Sequence, residues 1–178
     1  MSTTTNWVFR GVQIASWIIF IGLSIEAGGL IINFIFSVFN PELVGDLYQK
    51  LDLSLLHEQS IWAFFGMYTF VLSVALFKAH LFYIVVMLSH KIDLVKPFNS
   101  FVADQITKIS YYTLSIGLIS HIARQSAKNL EKYGFELDKL GQFWVDSQAY
   151  ILMAAVIYLI SFIFKKGVEI QIENDLTV

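Results

Sequence analysis

Residues 12–39, VQIASWIIFIGLSIEAGGLIINFIFSVF, decide the fold. The run holds a single ionisable residue, Glu26. A helix rises about 1.5 Å per residue, and a hydrocarbon core of ~30 Å takes ~20 helical residues. The stretch therefore predicts a membrane-spanning helix with length to spare for tilt or protrusion. Only Arg10 is basic ahead of it, and no small-residue cleavage site ends it, so it reads as a retained span rather than a signal peptide.

The same reading extends along the chain. Asn40-Pro41 ends the first span, and an acidic loop with Asp46, Asp52 and Glu58 leads to a second over residues 61–88. Pro97 stands just before a third helix, where its missing N–H costs little, and Asn99 or Ser100 can cap that helix. This helix, residues 101–123, starts amphipathic with Asp104, Gln105 and Lys108 and has the shortest apolar run of the four. Residues 124–142 mix charges of both signs, and Leu130, Phe135, Leu137 and Leu140 suggest a stretch lying along the surface. The last span covers residues 143–164, closed by Lys165-Lys166 and followed by a polar tail, 165–178.

Composition agrees. Of 178 residues 56% are hydrophobic and 15% charged, with a mean hydropathy of +0.63; soluble domains carry about 25% charged residues. The expected fold is all-α, a single integral membrane four-helix bundle. A net charge of −2 exerts no pull toward nucleic acid. The absence of cysteine excludes disulfides, thiolate catalysis, cysteine zinc sites and iron–sulfur clusters.

Four spans place both termini on one side. Arg10, Lys91, Lys96, Lys108, Lys165 and Lys166 share that side, against Lys50, Arg124, Lys128, Lys132 and Lys139 on the other. The lysine pair abutting the last helix and the acidic first loop favour termini inside, with a cytoplasmic tail, in a bacterial inner membrane. Trp7, Trp62 and Trp144 fall near span ends, as an aromatic belt requires.

Glu26 is the sharpest chemical signal. Gly11, Ala15, Gly22, Glu26, Gly29 and Asn33 follow helical spacing, and such a stripe of small and polar residues is expected to face other helices. A carboxyl at that depth is either paired or protonated, and is either a ligand- or ion-coupled group or a structural one. Lys78 and His80 lie two residues apart and point in nearly opposite directions. Either is a candidate partner for Glu26, while a span counted from Ile61 places both near the inner interface. His57, His90 and His121 are read as interfacial polar residues; no metal, haem or other cofactor site is expected. His121 and Arg124 share a face with Gly117. No GxSxG, HExxH, P-loop or paired-carboxylate motif is present, and no enzymatic activity is expected.

In the tail, Val168, Ile170 and Ile172 alternate at period two, which suits an extended segment able to add a strand to a partner. A disordered tail or a helix extension fits the same residues and is preferred on physical grounds.

Gly167-Val168-Glu169 followed by Glu173-Asn174-Asp175-Leu176-Thr177-Val178 resembles the ending of domain-of-unknown-function family 2975, and Lys96-Pro97-Phe98 resembles the approach to that family's third helix. These motifs cover about twenty residues; the layout of small bacterial proteins with four predicted spans covers nearly the whole chain. The resemblance implies a membrane sensor or anchor for a small cytosolic helix-turn-helix regulator, with no direct binding of nucleic acid. Pro97, Phe98, Gly167, Glu173, Asp175, Leu176 and Val178 would then form the partner surface, and Glu26 with Lys78 or His80 the switching element. Two rivals stand beside it: a small transporter or channel subunit using Glu26, which would need a homo-oligomer to make room for a pathway, and a structural subunit of a membrane complex.

Overall fold

The computed structural model describes residues 3–39, 53–93 and 97–176, with the backbone alone described at residues 3–6, 138, 175 and 176. Asn40-Pro41, Asp46, Asp52, Lys96 and Val178, and the side chains of Asp175 and Leu176, lie outside the described residues. Among the described residues the elements are all helical. They are α1 (Thr3–Phe39), a short α2 (Ser54–Gln59), α3 (Ile61–Lys91), α4 (Ser100–Lys132), a 3-10 helix (Asp138–Phe143) and α5 (Ser147–Leu176).

Local chemistry sets the ends. The Ser60 hydroxyl accepts the Ala63 N–H at the start of α3, and Asn99 Oδ1 accepts the Val102 N–H at 2.9 Å at the start of α4. Of the two cap candidates before α4, Asn99 takes the role. Gly134, at φ +86°, supplies the left-handed residue just beyond α4, and its N–H bonds back to the Glu131 carbonyl.

Three stretches are long and apolar enough to cross a membrane: Trp7–Phe39, Ile61–Lys91 and Lys139–Asn174. The expected third span is not among them. The reason lies in its packing. Consecutive long helices run antiparallel, so α4 is sandwiched between α3 and α5 and need not be apolar all round. Toward α5 it presents Ala103, Ser110 and Gly117, seven residues apart; α5 answers with Ser147, Ala154 and Ser161 at the same spacing, all of them buried. The Ser110 hydroxyl donates to the Ala154 carbonyl at 2.9 Å, and a methyl group on Gly117 would stand 2.9 Å from the Ile151 nitrogen. Small residues at a seven-residue period let two backbones approach closely without a hydrophobic drive between them.

On its other flank α3 packs along α1. Gln13 Nε2 donates to the Ser89 carbonyl, Phe20 meets Tyr83, the Tyr68 hydroxyl donates to the Leu30 carbonyl at 3.1 Å, and Phe34 meets Phe65. Among the described residues α1 makes no comparable contact with α4 or α5. The four long helices thus form an open array in which α1 meets α3, α3 meets α4 and α4 meets α5. Most of α1 is left uncovered, including Ile14, Ile18, Ile25 and Ile32, a surface suited to lipid.

The end of the array opposite the termini is plugged. Leu53 and Leu56 from the α2 region and Leu137, Leu140, Phe143 and Trp144 around the 3-10 helix bury against Phe64, Met67, Tyr68 and Val71 of α3. Residues 124–142 are therefore not a stretch lying on the surface. Their first part continues α4 to Lys132, and Leu137 and Leu140 enter the core.

Candidate functional site

The expected stripe on α1 does not face α3. That contact is made by Gln13, Phe20, Leu30 and Phe34, bulky or long side chains that interlock with the aromatic residues of α3. Gly11, Ala15 and Gly22 are exposed, and a methyl group on Gly11 or Gly22 would touch nothing. Glu26 and Asn33 are half-buried beside this open side. The Asn33 amide nitrogen is buried with no hydrogen-bond partner among the described residues.

Glu26 itself has no hydrogen bond or ion pair among the described residues. It does share a depth with Lys78. Phe20–Tyr83 and Phe34–Phe65 fix the antiparallel register, which sets Glu26 level with Ala75, within one helical turn of Lys78. Ala27 and Ala75 both belong to the buried core at that level. Lys78 sits near the middle of the 31-residue α3. Its ammonium lies 5.9 Å from the centre of the Tyr150 ring on α5, inside cation–π range. Tyr150 was not singled out from the sequence; no periodic signal marks it.

The His80 ring meets α4, 4.6 Å from that of Tyr112, and lies 5.9 Å from that of Tyr83 on its own helix. The two-residue offset from Lys78 separates them as helical geometry requires. Neither side chain meets Glu26. No group of three or more His, Asp or Glu side chains gathers to hold a metal ion among the described residues. His57 packs edge-on against Phe64, and His90 meets Trp17, whose indole N–H donates to its Nε2 at 3.4 Å.

At the end carrying the termini, the structure joins two segments far apart in sequence. Phe98 packs on Phe164, ring centres 5.1 Å apart, and covers Gly167 so closely that a methyl group there would come within 2.6 Å of the ring. Phe98 is still 40% exposed, so the pair forms a surface rather than a core. The period-two tail is not extended: α5 continues to Leu176, with Lys166 Nζ 2.6 Å from Glu169 Oε2 one turn on. A helix keeps Val168 and Ile172 on one face and turns Ile170 to the opposite one, which removes the apolar strand edge. Pro97, Phe98 and Gly167 come together, while Glu173 stands exposed further along α5.

No family model matches this chain, and no curated protein or solved structure is similar to it.

Proposed function

We propose that this chain is a multi-pass protein of the bacterial inner membrane, with four spans and both termini in the cytoplasm, acting as anchor and sensor for a small cytosolic helix-turn-helix regulator. The observation that carries the proposal is Phe98 seated on Gly167 and Phe164. It unites the loop before α4 with the last turns of α5 in one half-exposed patch. Lys91, Lys165 and Lys166 lie at the same end, as a cytoplasmic face favours.

The fourth span in this reading is α4. Asp104 and Arg124 stand about 30 Å apart along it, the thickness of a hydrocarbon core. Lys108 lies inside that interval and is exposed, so its stem can carry the ammonium toward the nearer interface. Gln105, Thr107, Ser110, Thr113 and Ser120 in the same interval are buried, and His121 is exposed one turn from the Arg124 end.

The test is co-purification from native membranes of the full-length chain and of one ending at Lys166. A small DNA-binding protein captured by the full-length chain alone supports the reading; equal capture by both ends the role of the tail.

A second reading, a transporter or channel subunit, draws on Glu26. An intramembrane carboxyl with no partner among the described residues, at the depth of a lysine on the neighbouring helix, is arranged as an ion-coupled group would be. Loss of transport in Glu26→Gln with an intact fold would favour it.

A further inference from the structure

At the opposite end of the array from the tail, a cavity of about 280 Å³ lies between the end of α4 and the chain entering α5. Arg124, Lys128 and Glu131 line it from α4, with Ala127 between them; Gly141, Trp144 and Val145 close the other side. The three charged residues are four and three positions apart, so they share one helical face. None of their side chains makes a hydrogen bond or ion pair among the described residues. Two cations and a carboxylate, all three exposed, thus converge on one cavity.

Depth adds a second constraint. Arg124 ends the stretch of α4 that holds no Asp, Glu, Lys or Arg after Lys108. It sits where such a helix would leave the hydrocarbon, and Lys128 and Glu131 rise about 6 and 10 Å beyond it. Trp144, only 4% exposed, walls the cavity, and Val145 stands exposed at its rim where an acyl chain would run. A buried indole wall, an exposed valine at the rim and two cations on one face are what a phospholipid presents a complement to.

We propose that this cavity binds the headgroup of an aminophospholipid, its phosphodiester held by Arg124 and Lys128 and its ammonium by Glu131. Arginine offers the planar fork that suits phosphate oxygens, and lysine adds a point charge. Glu131 makes the site selective: it accepts the amine of an ethanolamine headgroup and repels a headgroup that carries only negative charge. The inference rests on the chain spanning the bilayer and is independent of any partner at the other end. The same phosphate-plus-amine chemistry is offered by soluble phosphoethanolamine, so the test separates the two sources.

The experiment is native mass spectrometry of the full-length chain in detergent with phosphatidylethanolamine or phosphatidylglycerol. Phosphatidylethanolamine is expected to remain bound at activation energies that strip phosphatidylglycerol. Arg124→Ala with Lys128→Ala should weaken it about tenfold or more, the loss of charge-assisted hydrogen bonds. Glu131→Gln should remove the preference between the two lipids. Lys132→Ala, at the same exposed helix end but outside the cavity, should change nothing. Equal retention of both lipids by the natural chain, undiminished binding in the double variant, or an equal loss in Lys132→Ala would overturn the site. Displacement of the lipid by an equal concentration of soluble phosphoethanolamine would overturn its membrane origin.

Discussion

The ring of Phe98 lies against the backbone of Gly167, with no room for a methyl group between them. Glycine is required there by the closeness of an aromatic side chain contributed from nearly seventy residues earlier. The contact holds the loop entering α4 against the cytoplasmic end of α5 in the topology proposed. Replacing Gly167 with Val should push Phe98 off α5 while leaving both helices formed. Partner capture should fall to the level of the chain ending at Lys166, with membrane insertion and circular dichroism unchanged. Capture at the natural level would detach the Phe98 patch from partner binding.

Gly117 meets backbone as well as side chain. A methyl group there would stand 2.7 Å from Ile151 Cγ1, 2.9 Å from the Ile151 nitrogen and 3.1 Å from the Ser147 carbonyl oxygen. Backbone cannot swing aside, so Gly117→Ala should separate α4 from α5 and cost about 1–3 kcal/mol, the usual penalty of overpacking. Reversible unfolding in mixed micelles measures it. The same change at Gly22, where a methyl group meets nothing, should be near neutral.

The Tyr68 hydroxyl is buried and donates to the Leu30 carbonyl, linking α3 to α1. Tyr68→Phe keeps the ring and its contacts with Phe34 and Phe64 and removes only that bond. A loss of about 0.5–1.5 kcal/mol is expected in the same unfolding assay, the range for hydrogen bonds between membrane helices. A larger loss would mean that the hydroxyl holds more of the α1–α3 contact than one hydrogen bond accounts for.

Glu26 contributes no hydrogen bond or ion pair to the array among the described residues, so Glu26→Gln should leave stability within about 0.5 kcal/mol of the natural chain. Whatever activity the variant loses then belongs to the carboxyl as a functional group. A drop of several kcal/mol would instead assign Glu26 a structural partner.

What the sequence made legible follows from where the physics is local. Long apolar runs dictate helices whatever surrounds them, and the helical class and the places of α1, α3 and α5 were readable for that reason. The amphipathic α4 was harder. Its apolar surface is interrupted where α3 and α5 cover it, a property of the assembly rather than of its own composition. A signal was nevertheless present: Ala103, Ser110 and Gly117 repeat at seven residues, as do Ser147, Ala154 and Ser161, and their matching periods identify the α4–α5 pair. The α1 stripe was misread because small residues mark a close helix contact only when a partner helix is there to take it. The aromatic interlock with α3 competes for α1 and wins. The meeting of Phe98 with Gly167 depends on the register between α4 and α5, and the tail's period-two alternation gives no hint of it. The charges at Arg124, Lys128 and Glu131 looked like ordinary solvated residues in sequence; only the cavity they line distinguishes them.

The claim on which the account turns is that the Phe98 patch and both chain ends face the cytoplasm, with α4 crossing the membrane. The chain contains no cysteine, so single cysteines report position without background. The most direct measurement is labelling of Val8→Cys, Glu58→Cys and Glu173→Cys with an impermeant maleimide in intact spheroplasts and again after lysis. The account predicts that Glu58→Cys labels before lysis and that Val8→Cys and Glu173→Cys label only after it. Labelling of Glu173→Cys before lysis, with Val8→Cys protected, would leave α4 outside the membrane and contradict the account.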